Sequence, residues 1–456
     1  MAPVIGEFVD HEFARETAFL AELVKVPSDN PPGDCAAHAR RARQLLEQLG
    51  LTVEAHDVPR TVVEAAGMKS VTNLIVRHRF GDGPVIALNA HGDVVPPGLG
   101  WRLDPYGAVI EDGPHGPVMY GRGVAVSKSD FATYTWTLLA LKAAAAGGDK
   151  LRGTLELHFT YDEEVGGIVG PKWLLDEGLT KPDAAIAAGF SYAIVTAHDG
   201  CLHLEVTVTG KQAHAAMPDT GVDALEAANG TLAALYAHRA ALTRIRSATP
   251  GIVSPTLNVG LIKGGINTNV VPDQVVFRID RRMIPEEDAA KVEAELRALI
   301  AAAAEPQPRI KADVRRLLLA QALRPQPGTD RIVAAIERHA KAILGVDVPV
   351  MGVPLYTDAR HYAAAGIPIV LYGAGPRSIL EANAHNADEN LRLNDLRAAT
   401  KIVALTVADL LGAGSIPHGA SGRCRAHARA RSASGGSVRD ACAASELASR
   451  PVNSPA

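Results

Sequence analysis

Three consecutive acidic residues stand just after a predicted strand. Residues 153–160 alternate between apolar and polar side chains, which is typical of a strand, and Asp162, Glu163 and Glu164 follow. Carboxylates this close together repel one another in a low-dielectric setting, so a positive partner is expected, and a metal ion is the usual one. Gly166 and Gly167 would let the backbone turn tightly beside a ligand. A solvated acidic turn is the alternative interpretation of this segment taken alone.

A second predicted strand ends in a histidine. Residues 85–90 form an apolar run that delivers His91 and, two residues later, Asp93 to the strand's carboxyl end. Imidazole is a common metal ligand, and a nearby carboxylate can orient it by accepting its other ring N–H. A third candidate, His385, lies in a polar loop after the apolar run 367–372. This mixture of His and carboxylate favours zinc, cobalt or manganese over calcium or magnesium.

The elements that must position these residues change character along the chain. Residues 12–50 are expected to be helical, and strand and helix patterns then alternate to about residue 198, which favours a mostly parallel sheet between helices. From about residue 200 the pattern indicates a strand at 202–209, a helix at 224–242, strands at 256–262 and 274–279, and a helix at 288–304. We therefore predict an α/β fold in which a first domain, residues 1–199 and 313–412, is interrupted by a smaller α+β domain, residues 200–312.

Composition narrows the class of protein. A chain of 456 residues has room for two domains, and a net charge of -4 gives no sign of a nucleic-acid partner. The four cysteines are scattered without a CxxC pair, which predicts a reducing compartment and no cysteine metal site. No long apolar span is present and the N-terminus is charged, so we expect a cytoplasmic enzyme without a membrane partner.

The last segment, residues 413–456, is rich in Ala, Ser, Gly and Arg and has no apolar periodicity. Its six arginines against two acidic residues give a charge of +4. This composition predicts a disordered tail. RNA binding is conceivable, but a solvated tail is favoured because no aromatic residues are interleaved with the arginines.

Taken in order, the motifs resemble the zinc aminoacylase family, which includes acetylornithine deacetylase, succinyl-diaminopimelate desuccinylase and glutamate carboxypeptidase. The resemblance runs from about Glu16 to about Leu411. The matching segments are residues 27–33 (PSDNPPG), His91-Gly92-Asp93, Trp101 with Asp104-Pro105, residues 120–123 (YGRG), Asp162-Glu163-Glu164 with Gly166-Gly167, residues 210–214 (GKQAH), Pro218, Gly221, Gly264-Gly265, residues 269–272 (NVVP), residues 280–282 (DRR), residues 357–360 (TDAR) and His385.

The resemblance implies a role for each residue at the predicted strand ends. Glu163 corresponds to the general base, which takes a proton from the attacking water and later delivers it to the leaving amine. His91, Glu164 and His385 correspond to metal ligands, and Asp93 to the carboxylate that supports His91. Adjacent glutamates would then do different work, since one is held by metal and the other is free to move protons.

The resemblance also gives the inserted domain a function as a lid and dimerisation domain. His214 corresponds to a histidine that reaches a catalytic centre, often that of the partner subunit, and helps to polarise the substrate carbonyl. Asn269 and Arg282 correspond to residues that hold the substrate's carboxylate. A salt bridge from Arg282 to Asp280 or Glu286 is the alternative. A homodimer is expected, and it is required for activity if His214 acts in trans.

The chain departs from the family at two metal-binding positions. The family's bridging aspartate stands two residues before a lysine, and alignment on Lys128 places Val126 there. A further carboxylate expected near Gly189 and Phe190 is also missing. One metal ion shared among the three remaining ligands is one explanation, and replacement of the bridge by Asp130 is another. Asp130 is more simply interpreted as an early-turn acid of the helix that begins there, where its charge suits the helix dipole.

We therefore expect a metal-dependent hydrolase that cleaves an amide bond in a small N-acyl amino acid or dipeptide-like carboxylate, a deacylase or carboxypeptidase. Its cofactor is expected to be a divalent metal, with zinc favoured and cobalt or manganese possible, in one or two copies per subunit. One competing hypothesis is a small-molecule-binding protein that has lost its metal sites, although the presence of Glu163 argues against it. Another is a mononuclear aminohydrolase or deaminase on the same scaffold.

Overall fold

The computed structural model describes residues 1–304 and 309–412. Its helices are α1 (Ala2–Val24), α2 (Ala36–Gln48), α3 (Arg60–Ala65), α4 (Lys128–Ala146), α5 (Pro171–Asp176), α6 (Ala224–Leu242), α7 (Ala289–Ala304), α8 (Thr329–Leu344), α9 (Ala359–Ala364) and α10 (Leu393–Gly412). Its strands are β1 (Val53–Asp57), β2 (Thr72–Arg79), β3 (Val85–His91), β4 (Val109–Gly113), β5 (Gly116–Tyr120), β6 (Thr154–Thr160), β7 (Ala184–Ala187), β8 (Ile194–His198), β9 (Gly200–Thr209), β10 (Thr256–Gly264), β11 (Gln274–Met283), β12 (Lys311–Ala320), β13 (Val350–Val353), β14 (Ile369–Leu371) and β15 (Asn390–Arg392).

An eight-stranded sheet forms the centre of the fold, in the order β1-β2-β6-β3-β7-β14-β8-β13. The pairs β6–β3, β3–β7, β7–β14 and β8–β13 are parallel, whereas β1–β2, β2–β6 and β14–β8 are antiparallel. The predicted α/β class with a mostly parallel sheet is confirmed. Because β3 and β6 are parallel neighbours, their carboxyl ends meet at the same edge of the sheet.

Helix α4 is buried on every side along most of its length, which explains why its sequence shows no polar face. It packs between α1 and α10 and lies against β3 and β6. Trp136 and Phe131 are fully buried in this layer, and Phe131 stacks on Phe159 of β6 with ring centroids 4.1 Å apart. The start of α4 is therefore fixed directly beneath the ends of the strands that carry the acidic residues and His91.

A second, antiparallel sheet has the order β10-β11-β9-β12. Alternate residues of β9, from Leu202 to Val208, are buried in a core of their own with side chains from α6 and α7. The fourth strand, Lys311–Ala320, extends this layer beyond residue 312. The predicted division into domains stays a prediction, as does the lid and dimerisation function of residues 200–312. A third sheet, β15-β5-β4, was not predicted from the sequence.

Two predicted helical boundaries differ from the structure. The expected helix at 12–50 is two helices, because the chain between Val24 and Ala36 carries Pro27, Pro31 and Pro32, and proline cannot continue a helix. Helix α4 begins at Lys128, so Asp130 lies inside its first turn. The strands expected at 202–209, 256–262 and 274–279 and the helix at 224–242 are all present.

None of the helices within residues 1–304 and 309–412 combines the length and the apolar character needed to cross a membrane. The predicted tail, residues 413–456, lies outside the described residues.

Candidate metal-dependent active site

The candidate site begins where β3 and β6 end side by side. His91 is the last residue of β3 and is paired with Thr160, the last residue of β6. Glu163 and Glu164 follow in a single 3₁₀ turn. The imidazole Nε2 of His91 lies 4.0 Å from a carboxylate oxygen of Glu163. One ligand atom from each of His91, Glu163 and Glu164 lies within 4.8 Å of the other two, so the structure brings these predicted residues together.

Asp93 holds this turn in place. Its carboxylate accepts hydrogen bonds from the backbone N–H groups of Glu163 and Glu164, both at 3.2 Å, and from the side-chain amide of Asn30 at 2.9 Å. Its main-chain oxygen lies 3.0 Å from Nδ1 of His91, closer than its carboxylate oxygen at 3.4 Å. This network assigns the Nδ1–H tautomer to His91, which leaves the Nε2 lone pair free to bind a ligand. The predicted support of His91 by Asp93 therefore comes mainly from the backbone.

His385 reaches the cluster from the loop that follows β14. Its Nε2 lies 3.4 Å from Oε1 of Glu164. A buried ion pair anchors the loop, because Nη1 of Arg122 donates to Glu389 at 2.6 Å and both side chains are 1% exposed. The other carboxylate oxygen of Glu389 accepts the backbone N–H of Ala125 at 3.0 Å. The loop of His385 is thus tied to the segment that enters α4.

Burial and close charges perturb the proton affinities of this cluster. Burial raises the pKa of Glu163 to about 7. Burial opposes a charge on His91, but the neighbouring Asp93 and Glu163 carboxylates outweigh it and raise the pKa of His91 well above its usual value. Contact with Glu164 raises the pKa of His385. Carboxylates packed this closely are stabilised either by protons or by a bound cation.

The cluster opens into a cavity of about 410 Å³. Its walls combine the predicted residues with several apolar side chains. The residues lining it include His91, Val126, Asp130, Glu163, Glu164, Gly189, Phe190, Arg282, Leu355, Tyr356, Asp358, Leu371, Ile379 and His385. A concave, largely apolar pocket with a few convergent polar groups is the usual form of a small-molecule site.

Val126 and Gly189, which replace the two expected metal-binding carboxylates, both line this cavity. Asp130 lines it too, although it lies in the first turn of α4 as the simpler interpretation required. Its Oδ1 accepts the backbone N–H of Ala374 at 2.7 Å, and its buried Oδ2 has no hydrogen-bond partner among the described residues. Burial raises the pKa of Asp130 to about 7.

Two residues that sequence reasoning left without a role, Asp358 and Tyr356, also line the cavity. Asp358 is 4% exposed and lines the wall, and neither carboxylate oxygen has a hydrogen-bond partner within the described part of the chain. Tyr356 lies beside it, and the guanidinium of Arg360 lies 5.2 Å from the Tyr356 ring centroid. The matching segment at 357–360 was the available signal, but it gave no indication of which side chain would face the pocket.

The predicted substrate-binding residues are placed differently from one another. Arg282 lines the cavity, and it also forms the salt bridge to Asp280 that was the alternative prediction, with Nε to Oδ1 at 2.9 Å. Its guanidinium lies 5.7 Å from the ring centroid of Tyr356. His214 and Asn269 are exposed on the second sheet layer and are not among the described residues that line the cavity. The structure of one chain therefore brings in Arg282 but not the other two.

The comparison with protein families decides what kind of protein carries this site. The sequence model of peptidase family M20/M25/M40 matches residues 87–409, well over half of the chain and most of the cavity's lining residues. The chain belongs to this family. Membership makes it a metal-dependent hydrolase that acts on carbon–nitrogen bonds, and the resemblance to the zinc aminoacylase group is confirmed.

Relatives with known names are similar over most of their length. The chain is 27% identical over 381 residues to succinyl-diaminopimelate desuccinylase of Acidiphilium cryptum, a match covering 79% of this chain and 95% of that protein. It is 29% identical over 376 residues to acetylornithine deacetylase of Myxococcus xanthus, covering 81% and 91%. Among solved structures, a dipeptidase of Saccharomyces cerevisiae superposes with a TM-score of 0.70 at 15% identity, covering 91% of this chain and all of the other, which supports the fold.

The residues present offer ligands for a divalent metal ion, since ligand atoms of His91, Glu163 and Glu164 lie within 4.8 Å of one another and His385 lies against Glu164. Oε1 of Glu164 is buried and has no hydrogen-bond partner among the described residues, and it faces Nε2 of His385. Two imidazoles and one carboxylate are the ligand set of several catalytic zinc sites, which keep a fourth position open. A Bacillus subtilis structure with a TM-score of 0.62 and 18% identity is described as a dinuclear metal-binding peptidase of family M20. Here Val126 and Gly189 offer no side-chain donor for a second ion.

Proposed function

We propose that this chain hydrolyses an amide bond of a small N-acyl amino acid or dipeptide-like carboxylate with one divalent metal ion, zinc being favoured. His91, Glu164 and His385 would hold the ion, and Glu163 would act as the general base. The observation that carries this proposal is that the two adjacent glutamates have different partners. Glu164 contacts His385, whereas a carboxylate oxygen of Glu163 lies 4.0 Å from the imidazole of His91.

A divalent ion bound there would polarise the scissile carbonyl and make a water molecule more acidic. Glu163 takes the proton of the attacking water and then delivers it to the leaving amine, which departs as a neutral molecule. Asp93 keeps both glutamates and His91 in position through the hydrogen bonds that its carboxylate and main-chain oxygens accept. The apolar wall formed by Phe190, Leu371 and their neighbours would exclude bulk water from the reacting carbonyl.

Arg282 and Asn269 are proposed to bind the carboxylate of the substrate. Arg282 already lines the cavity, and a guanidinium fork suits a carboxylate. Asp280 already accepts two hydrogen bonds from the guanidinium of Arg282, so a substrate carboxylate would have to compete with Asp280 for these N–H groups. Asn269 lies beside His214 on the exposed part of the second layer, where the backbone N–H of Ala215 donates to the Asn269 carbonyl at 3.0 Å.

A homodimer is proposed because His214 and Asn269 lie away from the cavity of their own chain. Strand β10 is the edge of its sheet and exposes Leu261 and Ile262, 59% and 53% exposed. Unpaired edges with apolar side chains invite pairing with another chain. A second copy docked on this edge would cover these side chains, and His214 is proposed to reach the partner's cavity.

Hydrolysis and binding must be measured separately to test the proposed function. A panel of N-acetyl and N-succinyl amino acids and dipeptides would be assayed with zinc, cobalt or manganese, and calorimetry would measure binding. Glu163→Gln should lower kcat by about 10²–10⁴-fold with little change in affinity, since it removes the base but keeps the volume. Glu47→Gln, an exposed change, is the control. A wild-type protein that binds these compounds but releases no amine with any metal would contradict the proposal and favour the binding-protein hypothesis.

Subunit mixing tests whether His214 acts in trans. Glu163→Gln and His214→Ala should each be inactive alone, but a mixed dimer would contain one site with both residues intact. We therefore expect activity to reappear when the two proteins are unfolded and refolded together. If the mixture stays inactive while copurification of differently tagged subunits shows mixed dimers, His214 acts within its own chain or not at all.

A further inference from the structure

A second group of potential metal ligands lies on the antiparallel sheet, outside the proposed ligand set. Cys201 and His203 are two residues apart on β9, and His203 is paired directly with Asp280 on β11. Because side chains alternate along a strand, Cys201, His203 and Asp280 project from the same face, opposite to the buried Leu202 and Leu204. The register of the sheet therefore brings a thiol, an imidazole and a carboxylate close together.

We propose that Cys201, His203 and Asp280 bind a thiophilic divalent metal ion of the zinc class, distinct from the ion proposed at His91, Glu164 and His385. A thiol combined with an imidazole suits zinc, whereas calcium and magnesium prefer oxygen ligands. The proposal does not depend on the hydrolytic function, because none of its three ligands belongs to the His91 cluster.

The distances between the donor atoms fit a tetrahedral ion. Sγ of Cys201 lies 3.2 Å from Nε2 of His203, and that nitrogen lies 3.2 Å from Oδ2 of Asp280. Sγ lies 3.8 Å from Oδ1 of Asp280. With Zn–S near 2.3 Å and Zn–N or Zn–O near 2.0–2.2 Å, the edges of a tetrahedron are roughly 3.3–3.6 Å long. The Sγ–Nε2 and Nε2–Oδ2 separations are within a few tenths of an ångström of such edges, and one donor atom from each of the three residues lies within 4.8 Å of the other two.

Arg282 completes the surroundings of this group. Its Nε donates to Oδ1 of Asp280 at 2.9 Å and its Nη2 to Oδ2 at 3.1 Å. Carboxylates that bind metals are commonly held by hydrogen bonds of this kind, and the lone pairs of Asp280 suffice for both partners. With the thiolate and the carboxylate each carrying one negative charge, the ion and the guanidinium leave a net charge of about +1 on the assembly.

A catalytic thiol is a poorer explanation of the same residues. In a nucleophile–base–carboxylate arrangement, the histidine uses one ring nitrogen for the nucleophile and the other for the carboxylate. Here Nε2 of His203 faces both Cys201 and Asp280. Cys201 is also fully buried, and burial raises the pKa of its thiol to about 12, so the free thiol keeps its proton. Metal binding would release that proton to solvent as the Sγ–metal bond forms.

Cobalt(II) titration of the full-length protein tests the proposal, because a thiolate bound to cobalt gives a ligand-to-metal charge-transfer absorption that imidazole and carboxylate do not give. Cys424 and Cys442, which lie outside the described residues, would be changed to serine in every variant. We expect the thiolate band to saturate at one cobalt per subunit, and added zinc to abolish it. The band should persist in Cys35→Ser and in His91→Ala.

Cys201→Ser should remove the band, and His203→Ala should weaken cobalt binding by at least about tenfold. His203 is 35% exposed, so its replacement is the variant that keeps the fold if Cys201→Ser does not, and equal urea midpoints would establish this. Absence of any thiolate band at millimolar cobalt would overturn the proposal. Loss of the band in Cys35→Ser, or an unchanged cobalt affinity in His203→Ala, would overturn it as well.

Discussion

The buried ion pair between Arg122 and Glu389 gives a sharp test of how the fold positions His385. Glu389→Gln removes the negative charge while keeping the side chain's shape, and it leaves the Arg122 guanidinium buried without a counter-ion. Both side chains are 1% exposed, so solvent cannot compensate for the loss. Breaking a buried pair in this way typically destabilises a protein by about 3–5 kcal/mol. Arg122 retains contacts with the carbonyls of Pro97 and Asn386, which favours the lower end of that range.

Urea unfolding at neutral pH measures this cost, with two comparisons. Glu47→Gln breaks an exposed pair with Arg43 on one helix turn and should cost no more than about 0.5 kcal/mol. The double variant Arg122→Met with Glu389→Met removes both charges and should be more stable than Glu389→Gln. Metal affinity at the His91 site should also fall in Glu389→Gln, because the loop of His385 loses its anchor. If Glu389→Gln proves as stable as Glu47→Gln, the ion pair does not hold this loop.

Three further changes test other parts of the account. Burial raises the pKa of Glu16 to about 8 from a usual 4.5, so the folded state binds this proton more tightly than the unfolded state does. The free energy of unfolding should therefore fall by several kcal/mol as pH rises from about 4.5 to 8. Urea unfolding at pH 5 and pH 9 should show this difference in the wild type and not in Glu16→Gln. Val126→Asp restores a carboxylate to the cavity wall and should raise the metal content above that of the wild type in elemental analysis; unchanged content would show that this wall does not face the ion. An added Cβ at Gly92 would lie 2.5 Å from the Tyr161 ring, so Gly92→Ala should lower the free energy of unfolding by about 1–3 kcal/mol and lower metal affinity beside His91. At Gly50 an added Cβ would meet no atom within 4 Å, so Gly50→Ala should leave metal affinity unchanged.

The strand-end residues could be predicted because their positions follow from local rules. Apolar runs identify β3 and β6, and parallel neighbours bring their carboxyl ends together, so His91 and the two glutamates had to be close once both strands joined one sheet. The long-range position of His385 is different, since it depends on an 18-residue connection from β14 to β15 and on the pair formed by Arg122 and Glu389. From the sequence, His385 could be identified as a metal ligand only through the resemblance to a known family.

The remaining features depend on packing that no local pattern encodes. Asp358 owes its burial to close approach of the turn at Gly167, where an added Cβ would lie 2.0 Å from its Oδ1. The break between α1 and α2 was marked by prolines, but the apolar periodicity on both sides concealed it. The spacing of Cys201 and His203 is visible on one strand, whereas Asp280 joins them only through the register of β9 and β11. The absence of a CxxC pair carries no information about a group that strand register assembles in this way.

The number of metal ions bound at the cavity tests the central claim most directly. Elemental analysis would be made on Cys201→Ser protein purified without chelator, so that only the His91 site contributes, and on the same protein carrying His385→Ala. The account predicts one zinc, cobalt or manganese ion per subunit, lost in the second protein. Two ions per subunit would contradict the mononuclear site, and no bound ion even after all three metals are supplied would contradict the hydrolase.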